Sequence, residues 1–223
     1  MKRILFAALL LGTSVPAFAQ EGDMSPTAYA EIGVGLDIVP DVSTQTYTFT
    51  SGANIATGKV NLNYDTGFAA AAEVGYAGLG IPQLRLGIGY DYLEGTFRSG
   101  QIVGTVNGAP GSLSFTRNSI SSLGSSLDND INLVSGNLYY SLPMVGPIRP
   151  YIGGGAGVAF ISNAGSNFAA SATAGFRMAL TDEAYFGVRY RYYWVNSPTD
   201  DGGIHYEDVT AHSVMAILGM YLD

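Results

Sequence analysis

The sequence predicts an all-β fold, an eight-stranded antiparallel up-and-down transmembrane β-barrel, and three observations predict it. The first is composition. Of 223 residues, 47% are hydrophobic and only 13% are charged, about half the charge of an ordinary soluble domain. The second is that no long apolar run follows residue 19, whereas a spanning helix needs ~20 apolar residues. The third is a series of segments in which apolar residues alternate with small or polar ones, separated by turn residues. Strands that face lipid on one side and a lumen on the other require that alternation.

The first nineteen residues read as an export signal. Lys2 and Arg3 open the chain, Ile4–Leu11 is apolar, and Ala17-Phe18-Ala19 is a small-x-small cleavage site. Cleavage after Ala19 is expected, leaving residues 20–223 as one barrel domain. Loss of Lys2 and Arg3 takes the net charge from −8 to −10. That sign excludes a nucleic-acid binder. The absence of Cys excludes disulfide scaffolds, thiolate metal sites and cysteine catalysis.

Eight segments carry the alternation. In Thr27–Val39, Ala28, Ile32, Val34 and Leu36 oppose Glu31, Gly33, Gly35 and Asp37. In Gly67–Ala77, Phe68, Val74 and Tyr76 oppose Ala69, Ala71 and Glu73. In Gln83–Glu94, Leu84, Leu86, Ile88, Tyr90 and Tyr92 oppose Arg85, Gly87, Gly89 and Asp91. Asn132–Leu142 and Tyr151–Ile161 follow, the latter with Gly153, Gly155 and Gly157 inward. Phe168–Leu180 turns Arg177 inward. In Ala184–Val195, Phe186, Val188, Tyr190, Tyr192 and Trp194 oppose Tyr185, Arg189, Arg191 and Tyr193. In Val209–Leu222 both faces are apolar, and Val214, Ala216, Leu218, Met220 and Leu222 are assigned outward. A helix, with period 3.6, would mix these sets.

The outward faces carry no charge, as lipid requires. The inward charges balance: Glu31, Asp37, Glu73 and Asp91 against Arg85, Arg177, Arg189 and Arg191. We expect these eight to form one interior ion-pair network, since unpaired buried charge is costly. The inward glycines are expected to make room for Arg and Tyr and to permit curvature.

The connections alternate in length. Gly78–Pro82, Pro143–Pro150 and Thr181–Glu183 are short, while Pro40–Asp65, Gly95–Asn129 and Asn196–Asp208 are longer, and Ser162–Asn167, of the same set as these three, is short. Short periplasmic turns and long outer loops put both mature termini in the periplasm. Two aromatic girdles follow: Phe68, Tyr92, Phe160, Phe168, Tyr192 and Trp194 near the outer interface, and Tyr76, Tyr140 and Phe186 near the inner one. The Ser-, Gly-, Asn- and Thr-rich segment Gly95–Asn129 reads as a mobile, exposed loop.

Gly136-Asn137-Leu138-Tyr139-Tyr140 and Arg149-Pro150-Tyr151-Ile152-Gly153-Gly154-Gly155-Ala156-Gly157-Val158-Ala159 resemble the small outer-membrane β-barrel family of Gram-negative bacteria. That family includes opacity-protein-like porins and surface antigens. Val188-Arg189-Tyr190-Arg191-Tyr192 and His212-Ser213-Val214 resemble its last two strands. The resemblance covers the mature chain. It implies an outer-membrane location, contact with lipid and lipopolysaccharide, and insertion by the barrel-assembly machinery. Family members commonly end in an aromatic residue, whereas this chain ends Tyr221-Leu222-Asp223.

Ile204-His205-Tyr206 faintly resembles a lipid A deacylase, but Glu207 stands where the nucleophilic Ser would be. His212 and Ser213 are adjacent on a strand and point to opposite faces. Asp200-Asp201-Gly202-Gly203 matches no calcium-loop spacing. No enzyme, cofactor or metal is therefore expected, and no second domain after the last strand. The expected role is structural, with a packed polar interior and outer loops that act as surface antigen or adhesin toward host or surface ligands. The alternative is a narrow diffusion porin lined by the same interior charges.

Overall fold

The computed structural model describes residues 26–121, 128, 130–162, 164–199 and 204–222. The expected signal peptide lies outside the described residues, as do Asp200 and Asp201.

Eight strands close into one barrel: β1 (Thr27–Ile38), β5 (Gly67–Ala77), β6 (Leu84–Leu93), β9 (Ile131–Ser141), β10 (Ile148–Ile161), β11 (Gly165–Ala179), β12 (Ala184–Val195) and β13 (Val209–Leu222). Each pairs antiparallel with its neighbours, and β1 closes the ring against β13 from Ala28↔Leu222 to Ile38↔His212. The strands match the eight alternating segments to within a few residues. The largest shifts are at β10 and β11, each of which starts three residues early: β11 because its hairpin with β10 is tight, at Ile161↔Gly165, and β10 because its pairing with β11 continues to Ile148↔Met178. In β13 Val214, Leu218, Met220 and Leu222 point outward, while Ser213, Met215 and Ile217 are buried.

The exposure pattern distinguishes this barrel from a soluble sandwich. Ile88 is 67% exposed and Ile32 61%, whereas Arg189 is 2% and Asp91 1%. Apolar side chains outside and charges inside suit a solvent of lipid. No described helix is long and apolar enough to cross a membrane.

The long outer connections differ from expectation. Pro40–Asp65 and Gly95–Asn129 are folded into a second, five-stranded sheet of β2 (Val42–Ser43), β3 (Tyr47–Ser51), β4 (Asn54–Tyr64), β7 (Phe97–Val106) and β8 (Ala109–Thr116), followed by the short α1 (Arg117–Ser121). The described part of Gly95–Asn129 is therefore mostly a hairpin. Its turn is Asn107-Gly108, with φ of 51° and 81°, the positive-φ pair that matches strand twist in a two-residue hairpin. Leu62 and Phe97 are buried beneath this sheet. Phe97 meets Tyr64 edge-on at 6.2 Å and stacks on Phe115 at 5.9 Å. A bridge between Thr44 and Tyr206 ties the sheet to the last outer connection.

Candidate functional site

Alternation along β1, β5, β6 and β12 turns Glu31, Glu73, Asp91, Arg85, Arg189 and Arg191 into the lumen, where all six are buried. Glu31 and Glu73 face each other directly across β1 and β5. Two like charges so placed repel, and arginines from strands β6 and β12, on either side of that pair, offset them. Arg189 Nη1 donates to Glu31 Oε1 at 2.8 Å, and Arg85 Nη2 lies 3.6 Å from Glu31 Oε2. Arg191 Nη1 donates to Asp91 Oδ2 at 2.5 Å and its Nη2 lies 3.7 Å from Glu73 Oε2. Arg189 Nη2 is 3.9 Å from Asp91 Oδ1.

Neutral side chains complete the coordination, as a buried charge requires. Glu73 accepts from Tyr29 at 2.6 Å, Tyr139 at 2.6 Å and Asn137 at 2.9 Å. Arg191 also donates to the Tyr139 hydroxyl and, through Nε, to Thr173 at 3.0 Å. Tyr185 donates to Glu31 at 2.9 Å and accepts from Arg85 at 2.8 Å. The Arg85 guanidinium lies 3.7 Å over the Tyr29 ring centroid. These tyrosines and Asn137 were not among the expected site residues, although alternation already placed them inward.

Glycine makes the space. A Cβ on Gly87 would stand 2.5 Å from the Tyr29 hydroxyl and 2.9 Å from Glu73 Oε1. One on Gly175 would stand 2.7 Å from the Tyr151 hydroxyl.

Two of the eight expected members stand apart, so the interior network is three carboxylates with three arginines. Asp37 sits at the outer end of β1, fully buried, and neither carboxylate oxygen has a hydrogen-bond partner. The strand carries it too far from the arginines, which cluster toward mid-barrel and the inner end. Arg177 has no carboxylate within 4 Å among the described residues. Its guanidinium lies 4.1 Å over the Tyr151 ring instead. The interior is also not polar throughout. Its outer half is an apolar layer that includes Leu93, Leu133, Ala159, Val195 and Ala211, all at most 2% exposed. Above it lies a small apolar cavity bordered by Val39, Val42, Ile131 and Val209.

All nine expected girdle residues point away from the lumen. Phe68, Tyr76, Tyr140, Phe160, Phe168 and Phe186 are exposed, and Tyr92, Tyr192 and Trp194 are partly so. Phe168 meets Trp194 edge-on at 6.2 Å. His212 joins the outer ring, with Nδ1 2.7 Å from the Tyr190 hydroxyl. Trp194 Nε1 donates to Asp208 at 3.0 Å, and the Ser197 hydroxyl and amide donate to the same carboxylate. These bonds, Ser197's foremost, hold the Asp208 carboxyl below its usual range. His205 bonds Thr199 in the outer connection. Among the described residues no three His, Asp or Glu side chains are grouped to hold a metal.

The outer membrane protein beta-barrel domain family matches residues 5–218. The chain belongs to that family. It is an outer-membrane protein, in contact with membrane lipid and of the class that the assembly machinery inserts. Among solved structures it is similar to Neisserial surface protein A, with 12% identity, a TM-score of 0.57, and coverage of 89% of this chain and 99% of that one. It is also similar to the outer membrane protein OprG from Pseudomonas aeruginosa, with 16% identity, a TM-score of 0.44, and coverage of 87% and 96%. No curated protein matches the chain by sequence.

Proposed function

We propose that this family member is a non-enzymatic surface protein. Its barrel anchors a rigid outer sheet that binds surface ligands and is displayed as an antigen. The observation that supports this reading most is the second sheet itself. Residues that could have formed slack loops are instead organised into five paired strands. One face presents a groove bordered by Tyr47, Ile102, Leu113 and Ile204, with Leu113 63% exposed. Preformed apolar concavities on rigid elements suit binding. The interior favours anchoring over conduction, because its charges are paired with one another and roofed by an apolar layer.

The test compares two variants on whole cells. In one, residues 98–115 are replaced by Asn-Gly; in the other, Arg189 becomes Ala. Adhesion to host-cell or matrix surfaces, and recognition by antisera raised against intact cells, should fall with the first and persist with the second. Adhesion and recognition that persist in the first variant would overturn the reading.

A further inference from the structure

We propose that β8 is a self-pairing edge: it adds antiparallel to β8 of a second copy of this chain, held in a facing outer membrane. This rests on the outer sheet being a binding surface, and names its partner. β8 ends the outer sheet, with β7 on one side and no strand on the other among the described residues. The turn Asn107-Gly108 sets which backbone groups are free. Val106 and Ala109 close the two-residue hairpin as a hydrogen-bonded pair, and so do Gly104↔Gly111, Ile102↔Leu113 and Gly100↔Phe115. The Asn107 amide, of opposite parity, donates to Ile55 O on β4 at 2.8 Å. Ser112, Ser114 and Thr116 therefore turn their N–H and C=O groups away from the sheet, and Pro110 its C=O alone.

Edges are commonly guarded against pairing by charge, bulges or cover. From Ser99 to Thr116 the chain has no charged residue, and from Ala109 to Ser114 every residue is exposed. Pro110, near the tip, is the one blocking residue. The absence of charge favours a second copy, because any charge on a self-paired edge meets its own kind or must be matched within the strand. One two-fold register keeps the pairing within Pro110–Thr116. Ser112 and Ser114 of each copy exchange backbone hydrogen bonds with Ser114 and Ser112 of the other, and Thr116 N–H meets Pro110 C=O. Leu113, 63% exposed, then meets Leu113 of the second copy at the axis, and Phe115 lies opposite Gly111. Within one chain Phe115 already covers Gly100, where a Cβ would stand 2.4 Å from its ring.

The direction of β8 places the second copy. β4 and β7 continue the β5–β6 ribbon beyond the rim, from Ala69↔Leu93 through Asn63↔Ser99 to Ala56↔Val106. β8 returns from that tip toward the membrane. Copies in one membrane are related by an axis along its normal, so their β8 strands both run toward it. Antiparallel pairing joins strands that run oppositely, as they do in two facing membranes. A single edge contact is small, and many copies on each surface supply the avidity.

The test uses vesicles carrying the refolded mature chain, with folding confirmed by heat-dependent gel mobility and clustering followed by light scattering. The parent should cluster vesicles. Ser112→Lys with Ser114→Lys places lysine opposite lysine twice and should weaken clustering about tenfold or more. The two lysines also reduce the chain's net negative charge, so general repulsion does not account for that loss. Ser112→Lys with Ser114→Glu places lysine opposite glutamate twice and should cluster as the parent does. Parent vesicles that stay dispersed while the chain still binds host-cell or matrix surfaces would overturn self-pairing and leave the binding role of the outer sheet standing. If that binding is lost in the double-lysine variant, the edge takes a foreign strand instead. Clustering that survives both variants, or is lost in both, would also overturn the proposal.

Discussion

Asp91 offers the sharpest test of the interior network. Asp91→Asn keeps the shape and removes one charge. Arg191 then loses its 2.5 Å partner and retains only Glu73 at 3.7 Å, while Arg189 keeps Glu31 at 2.8 Å. Three guanidinium groups face two carboxylates in a dry interior, and breaking a buried pair from one side costs about 3–5 kcal/mol. Arg191→Met, which strands Asp91, should cost a similar amount. The pair Asp91→Asn with Arg191→Met removes both charges together. Glu73 still accepts from Tyr29, Tyr139 and Asn137, so the double variant should lie within about 2 kcal/mol of the parent. Urea unfolding of the refolded barrel in lipid measures this, with the single Trp, Trp194, as reporter. Single costs that add to within about 0.5 kcal/mol would refute the pairing.

Three further outcomes follow from the same geometry. Gly87→Ala should destabilise the barrel by about 1–3 kcal/mol, because its Cβ would press on Tyr29 and Glu73. Gly136→Ala, with nothing within 4 Å, should leave the same unfolding curve unchanged. Asp37→Asn should raise stability at pH 8 by on the order of 1–3 kcal/mol, since it removes a buried carboxylate that has no partner. A loss of stability would show that Asp37 holds a bond. The Asp208 carboxyl is depressed, so the anchoring it gives Trp194 should be full above the ordinary carboxylate range and lost only as pH falls through its lower folded value. A Trp194 emission change centred at pH 5 or above would contradict that.

The barrel was legible because each strand has one face against lipid, which leaves a period-two signature in composition. The outer sheet was not. Its strands are exposed on much of both faces, so Ser, Thr and Gly occur on either side and the alternation fades. One sign was present: Asn107-Gly108 is a strong hairpin turn, and it sits at the centre of Gly95–Asn129. Which charges meet was legible only in part. Alternation assigns a side chain to the lumen but not to a height. Asp37 and Arg177 lie near opposite ends of the barrel, where equal numbers cannot pair them. The apolar layer was visible in the inward positions near outer strand ends, such as Ile131 and Leu133, which are hydrophobic where mid-barrel inward positions are polar or small.

The lumen of the closed barrel is filled by paired charges beneath an apolar layer. Single-channel recording of the refolded mature chain in a planar bilayer tests it most directly. A folded, heat-modifiable and electrically silent barrel is expected. Reproducible open steps whose size changes in Arg189→Ala would contradict it and make the lumen a conducting path.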